Sequence, residues 1–521
     1  MKRKSPPDAG VGDATRHRSQ RDGTIDASPC LAMPLPPEQS PPAPPGTWLA
    51  MALVLGTLFV FSLYPVGGWD TWWHMATGRM IVQEGTIPRT DPFSYVTEGT
   101  PWVNHQELSQ IILYLVHAGA GPAGLILLRA VCVTLALFFL WLVLRARDVP
   151  LATSATMILF LSLFLRSGVR PYLFSYLCFA LMLWMLDGTW RRGLTWRSAV
   201  GLLLIQFLWA NMHAESILGI CLLGTYVLAA WIRAWSNRRD APAAARHHAL
   251  VWGGLGVLAI VVSCMTVHGS DTLLKTLVYT KRDPVVFATI GEWNRPRFLP
   301  FSADTLFFLS LPVMLAGILA GGRRDRRWPL LLLPFLFLSQ ALRYYRMVGY
   351  FYLACFCCIG ALPRRRWLAP LAAVLQVLVC VFVMGVHFTH ASENGLLQRS
   401  LAPIYPFRAV EEIQRLDLQG PMLNRFEWGG YLAWHLLPER RVFISGVMPP
   451  EYDKELFPDY LALRDPAETA RVVDKYGFGY ALFPRHHPIA VNLASLGWQT
   501  LFHDPDGIGD LLVPPGHPAA P

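Results

Sequence analysis

The side chains of this chain that could do chemistry fall into a few short segments. Asp70 and His74 stand one helical turn apart in Trp69-Asp70-Thr71-Trp72-Trp73-His74, and Asn211-Met212-His213-Ala214-Glu215 sets an amide, an imidazole and a carboxylate side by side. Carboxylates and imidazoles at this density suit a general base, or a divalent metal such as Mg or Mn held by Asp70, His213 and Glu215. Asp70, His74 and Glu215 are the catalytic candidates. The alternative for His213 and Glu215 is that they cap two helix ends. Arg166 and Arg170 bracket one turn, and Arg343-Tyr344-Tyr345-Arg346 closes an apolar segment. Guanidinium matches phosphate in bidentate geometry, so these arginines suit a lipid phosphate or pyrophosphate, unless they only snorkel to headgroups. Glu292, in Glu292-Trp293-Asn294-Arg295-Pro296-Arg297, joins Asn211 and the arginines as a substrate-binding candidate.

These residues must be positioned by helices in lipid. Of the 521 residues, 53% are hydrophobic and 15% charged, with a mean hydropathy of +0.35, and segments approaching the roughly 20 apolar residues of a membrane span recur from Thr47 to Phe388. The pattern predicts an α-helical polytopic membrane protein with about 11 transmembrane helices, near 47–66, 122–144, 150–166, 171–187, 198–212, 216–234, 249–267, 303–321, 328–342, 347–362 and 367–388. With the N-terminus inside, every cytoplasmic turn carries arginines: Arg145/Arg147, Arg191/Arg192/Arg197, Arg233/Arg238/Arg239, Arg323/Arg324/Arg326/Arg327 and Arg364/Arg365/Arg366. The net charge of +10 therefore reads as topology and not as a nucleic-acid surface. All the candidate residues named above then collect at the opposite, exoplasmic face, where ionisable groups at membrane depth mark a site.

Three domains follow: a disordered, Pro-rich cytoplasmic tail (1–46), a transmembrane domain (47–391) and an exoplasmic α/β domain (392–521). The transmembrane part carries two exoplasmic loops, 67–121 and 268–302. In the first, Trp69, Trp73, Ala76 and Met80 share one helical stripe beside Asp70, His74 and Thr77, which predicts an amphipathic helix with its Trp face in the headgroups. Asp91 reads as a turn residue. In the C-terminal domain a helix from Asp465-Pro466 to Lys475 and strands at 441–444, 480–483, 500–502 and 511–512 are expected. Eight of the nine cysteines lie in apolar segments, so no disulfide framework is expected.

The Trp-Asp-Thr-Trp-Trp-His segment, continuing through Gly78-Arg79, Gly85-Thr86-Ile87-Pro88 and Asp91-Pro92-Phe93-Ser94-Tyr95, resembles the first exoplasmic loop of the GT-C glycosyltransferase superfamily, which includes protein mannosyltransferases and oligosaccharyltransferase catalytic subunits. In that superfamily an acidic residue just after the first transmembrane helix serves as base or metal ligand, and Asp70 matches it. Phe426-Glu427-Trp428-Gly429-Gly430-Tyr431-Leu432 looks like the Trp-Trp-Asp-Tyr-Gly segment that opens the oligosaccharyltransferase exoplasmic domain and helps bind the acceptor, with the paired Trp absent and Glu427 in place of Asp. The layout is also similar to a group of bacterial multi-pass proteins in which the following strand often ends Asp-Gly-Arg; here it reads Ser445-Gly446-Val447. The resemblance implies a transferase of the plasma (inner) membrane, surrounded by membrane lipids. It would take sugar from a polyprenyl-phosphate or polyprenyl-pyrophosphate donor to a glycan, lipid or protein acceptor. A transporter or flippase for lipid-linked glycans, or a non-catalytic scaffold, stays open.

Overall fold

A computed structural model describes residues 46–165, 168–236, 238–239, 242–279, 291–298, 303–325, 332–358, 401–447, 452 and 454–518. Among these are seventeen α-helices and one four-stranded sheet near the C-terminus. The first part of the chain includes the helices α1 (Gly46–Phe61), α3 (Glu107–Arg145), α4 (Leu151–Ser162), α5 (Tyr172–Arg192), α6 (Trp196–Met212), α7 (Ile217–Ser236) and α8 (Pro242–Ser263). After α9 (Ser270–Tyr279) come α10 (Ala303–Asp325), α11 (Leu332–Ala341) and α12 (Val348–Cys358). Four segments, Glu107–Arg145, Tyr172–Arg192, Ala214–Ser236 and Pro242–Ser263, are long and apolar enough to cross a membrane, and Gly46–Phe61, Leu151–Ser162 and Leu332–Ala341 are shorter apolar helices. The expected helix at 367–388, the tail and Arg166 lie outside the described residues.

Arginines fasten opposite ends of the bundle. At one end Arg147 and Arg191 of the basic turns converge on buried Asp187 of α5, with Arg191 Nε 3.0 Å from Asp187 Oδ2. At the other, Arg129 of α3 is fully buried and closes the C-terminus of α1: its Nε donates to the Ser62 carbonyl at 3.1 Å, its Nη2 to that of Tyr64, and its guanidinium lies 3.5 Å from the centre of the Tyr64 ring. The last carbonyls of a helix have no partner within it, and a cation there also favours the helix dipole. Arg129 thus fixes the point from which the chain runs on to Asp70.

The loop after α1 forms α2 (Thr71–Glu84). It does not lie in the headgroups with a Trp face outward, as its pattern suggests. Trp72, Trp73, His74, Met75, Ala76 and Thr77 are all buried, because α3 covers one side of α2 and α14 (Gly429–Leu436) of the C-terminal domain covers the other. The approach of α14 depends on glycine: a Cβ on Gly430 would come within 3.0 Å of the Trp73 backbone nitrogen. α3 starts well before the expected 122, turning at Gly121 (φ 60°) just ahead of Pro122, so its first part belongs to this covering layer.

In the C-terminal domain, α13 (Phe407–Arg415), α14, α15 (Leu456–Ala462), α16 (Pro466–Tyr476) and α17 (Pro488–Ser495) surround strands β1 (Met422–Asn424), β2 (Tyr480–Phe483), β3 (Gln499–Phe502) and β4 (Asp510–Val513). The order is β1-β2-β4-β3, with β1 parallel to β2 and the other pairs antiparallel. Residues 441–444 make only an isolated bridge, Ser94 to Val442, instead of a strand. The partner is the loop after α2, which Asp91 pins down: its carboxylate accepts from the Phe93 amide (2.9 Å), Thr97 Oγ1 (2.6 Å) and Tyr452 OH (3.3 Å). Asp91 is therefore a buried tie between loop and domain, more than a turn residue.

Candidate functional site

Asp70 stands at the N-terminus of α2, Arg170 just before α5, Glu215 between α6 and α7, Glu292 in the short turn Gly291–Trp293, and Arg346 between α11 and α12. Five separate breaks in helical structure meet at one end of the bundle, where each side chain is released from a helix terminus. Arg170 Nη1 pairs with Asp70 Oδ2, and Arg170 Nη2 with Glu292 Oε2 at 2.9 Å. Glu292 Oε1 then lies 3.2 Å from Arg346 Nη1, and Arg346 Nε donates to Glu215 Oε1 at 3.0 Å. The result is an unbroken alternation of Asp70, Arg170, Glu292, Arg346 and Glu215. Exposure is lowest at Glu215 (9%) and highest at Asp70 (32%), so the series opens at its Asp70 end.

Both ends are held by further side chains. Tyr350 donates to Glu215 Oε2, and His213 Nδ1 lies 3.2 Å from the same oxygen and 2.9 Å from Ser175 Oγ, which also accepts from Trp209 Nε1. At the other end, Trp73 Nε1 donates to Asp70 Oδ1 at 3.2 Å. Gly446 lies against that carboxylate: a Cβ there would come 2.7 Å from Asp70 Oδ1 and 3.0 Å from Trp73 Nε1. Gly446, in Ser445-Gly446-Val447, is thus the roof over Asp70. The Arg170 guanidinium also lies 4.7 Å from the centre of the Tyr172 ring and that of Arg346 4.6 Å from that of Trp293. A cavity of about 80 Å³, the scale of a few waters, adjoins Glu215, Glu292 and Arg346 between Phe164, Tyr172, Tyr176 and Val348.

The electrostatics follow from this order. Burial would raise the pKa of Glu292, but the guanidiniums of Arg170 and Arg346 outweigh it and hold the carboxyl below its ordinary value. His74 is not in the series: it is buried under Trp73, whose ring centre is 3.5 Å away, with Gln110 Nε2 3.4 Å from its Nδ1. Burial pushes its pKa well down, and Arg170, His213 and His105 add to the effect.

The remaining candidates are dispersed. Asn211 donates to the carbonyls of Phe207 and Met265, and Arg343 is exposed over the Tyr344 ring. Trp428 is buried with its indole on the Ile404 carbonyl at 3.2 Å, while Glu427 pairs with Arg425 at 2.9 Å. His213 and Glu215 touch, but Asp70 is separated from them by Arg170, Glu292 and Arg346. Among the described residues no group of three His, Cys, Asp or Glu could hold a metal ion, and the carboxylates of this site are already taken by guanidinium, hydroxyl and indole donors. The donor set does not fit a metal.

Tyr350 had no signal in the sequence beyond lying near a polar break, and nothing local showed what Ser175, Trp209 and Gly446 would touch. Their roles depend on which helices become neighbours.

No known family model matches the chain, and no curated protein matches it. Solved structures do. The oligosaccharyltransferase of Archaeoglobus fulgidus in its apo form superposes with a TM-score of 0.53 at 13% identity, over 85% of this chain and 71% of that one. The archaeal oligosaccharyltransferase AglB from the same organism, in complex with an inhibitory peptide and a dolichol-phosphate, gives 0.52 at 13% identity, over 89% and 74%. In its fold, the chain resembles the archaeal oligosaccharyltransferases.

Proposed function

We propose that the protein is a GT-C-type glycosyltransferase that takes a sugar from a polyprenyl-phosphate or polyprenyl-pyrophosphate donor at the outer face of the plasma (inner) membrane. The observation that carries this reading is the charge series itself: two arginines held in place by carboxylates, at a membrane-helix end roofed by a folded domain. An anionic leaving group needs such fixed cations, since stabilising developing charge is commonly the largest contribution to rate. The fold relative AglB has been seen with a dolichol-phosphate, which supports a lipid phosphate as donor. The basic turns around Arg147 and Arg191 at the opposite end support an outward-facing site.

In the reaction, the acceptor oxygen forms a bond to the anomeric carbon as the bond from that carbon to the phosphate oxygen breaks. The phosphate leaves with the electron pair and is neutralised by Arg170 and Arg346. Asp70, at the open end, takes the acceptor's proton. Glu215, with Tyr350 and His213, holds Arg346 in position, and His74 supports Trp73, which orients Asp70. Arg425 and Glu427 border the acceptor side, since the Arg425 guanidinium lies 5.7 Å from the centre of the Trp69 ring, next to Asp70. The acceptor is a glycan, lipid or protein.

Mass spectrometry of surface glycans and lipid-linked intermediates in a deletion strain tests this. A polyprenyl-linked sugar should accumulate while one glycan disappears. Unchanged profiles of both would refute a transferase and favour a scaffold.

A further inference from the structure

Glu292 is the one carboxylate of the series that bridges two arginines, with one oxygen on Arg170 and the other on Arg346. That is the fork a phosphate presents to a pair of guanidiniums. Three carboxylates already face two guanidiniums here, so a phosphate added on top would leave the excess negative charge larger still. One exchanged for Glu292 would not. Glu292 is also the exchangeable member by placement. It sits on a three-residue turn outside the long helices and is 26% exposed, whereas Glu215 is 9% exposed and fastened by Tyr350 and His213 as well. Its side chain walls the small cavity beside Arg346, so its departure enlarges the space next to the cation.

We propose that the Glu292 carboxylate is a resident stand-in for the donor's phosphate, seated between Arg170 and Arg346 until a lipid-linked phosphate displaces it. This rests on the donor reading above. Two consequences follow. The seat is closed to weak anions in the resting protein, because any entrant must compete with a tethered carboxylate. And Arg170, drawn toward the phosphate, loosens its pairing with Asp70, which is then free to accept a proton only when donor is bound.

The test uses the purified full chain in detergent with farnesyl diphosphate as probe and inorganic pyrophosphate as the comparison. Wild type should bind farnesyl diphosphate, and Glu292→Gln should bind it about tenfold more tightly, the difference between competing with a charged and a neutral hydrogen-bonding group. Hydrogen exchange over residues 291–297 of wild type should speed up on binding, since the turn loses both of its arginine anchors. Pyrophosphate should bind more weakly than farnesyl diphosphate. If wild type binds the lipid probe but Glu292→Gln binds it no better, or if exchange at 291–297 slows or stays unchanged, the stand-in role is wrong and the donor reading survives. Should Glu292→Gln not fold, the wild-type exchange decides alone. No binding by wild type, or pyrophosphate binding as tightly as farnesyl diphosphate, would overturn the lipid-linked donor and the stand-in together.

Discussion

Replacing Arg346 by methionine removes the cation between Glu215 and Glu292. Glu292 keeps Arg170 and is open to water, but Glu215, 9% exposed, is left with only Tyr350 and His213. Breaking one side of a buried ion pair typically costs about 3–5 kcal/mol, because a charge stays buried without its partner. At roughly 2 °C per kcal/mol for a large chain, Arg346→Met should lower the thermal midpoint by on the order of 6–10 °C. Adding Glu215→Gln removes the stranded charge while keeping an acceptor for Tyr350, so the double variant should recover most of the loss. Recovery should stop short by about 0.5–2 kcal/mol, since the contact of Arg346 with the Trp293 ring is not restored. Glycan transfer should stay down by about a hundredfold or more in both variants, because the phosphate has lost one of its cations. The assay is a double-mutant cycle in detergent, read by thermal unfolding and by transfer normalised to folded protein. An Arg346→Met protein as stable as wild type, or a double variant no more stable than Arg346→Met, would refute the claim that this pair is desolvated.

Other expectations follow from the same geometry. Gly446→Ala places a methyl 2.7 Å from Asp70 Oδ1 and should cut transfer at least tenfold while leaving the protein inserted, as an activity assay on equalised membranes would show; undiminished transfer would mean that Asp70 needs no fixed roof. For His74, the folded pKa is depressed below 6.5 by burial, so the unfolded chain binds the extra proton first. Its contribution to stability is complete above about pH 6.5 and is lost as pH falls from there through the lower folded value. His435 and His487, lowered to about 4, add slopes of the same sign. The His74 part is therefore the difference between wild type and His74→Gln in thermal midpoint against pH, and that difference should shrink as the medium is acidified below 6.5.

Much of the bundle was legible because lipid imposes a long apolar period that few other constraints obscure. The first ten expected helices have counterparts among the described helices, and the C-terminal α/β pattern placed the helix after Asp465 and the strand at 480–483 closely. The misread elements are those whose surroundings are set by distant chain. The face of α2 looked like a membrane anchor because tryptophans suit both headgroups and protein interfaces. Only the pairing of Gly430 with the Trp73 backbone shows which applies. Residues 441–444 have strand-like composition but meet Ser94 across a single bridge. At the site, Asp70, Arg170, Glu215, Glu292 and Arg346 could be named from the sequence, since charged residues interrupting apolar runs carry their own signal. Their order could not. That Glu292 lies between two arginines and His74 beneath Trp73 depends on how five separate turns converge, and nothing local in the sequence encodes it.

The measurement closest to the central claim is glycan transfer by Asp70→Asn, by complementation of the deletion strain and normalised to membrane-inserted protein. Asparagine keeps the shape of the side chain and an oxygen for the Trp73 indole, but it neither carries charge nor accepts a proton at neutral pH. Loss of a general base commonly lowers a rate by about 100- to 10,000-fold, and a loss of that size, with insertion and thermal midpoint little changed, is the predicted result. Full complementation by Asp70→Asn would contradict the account and leave the charge series without its reacting end.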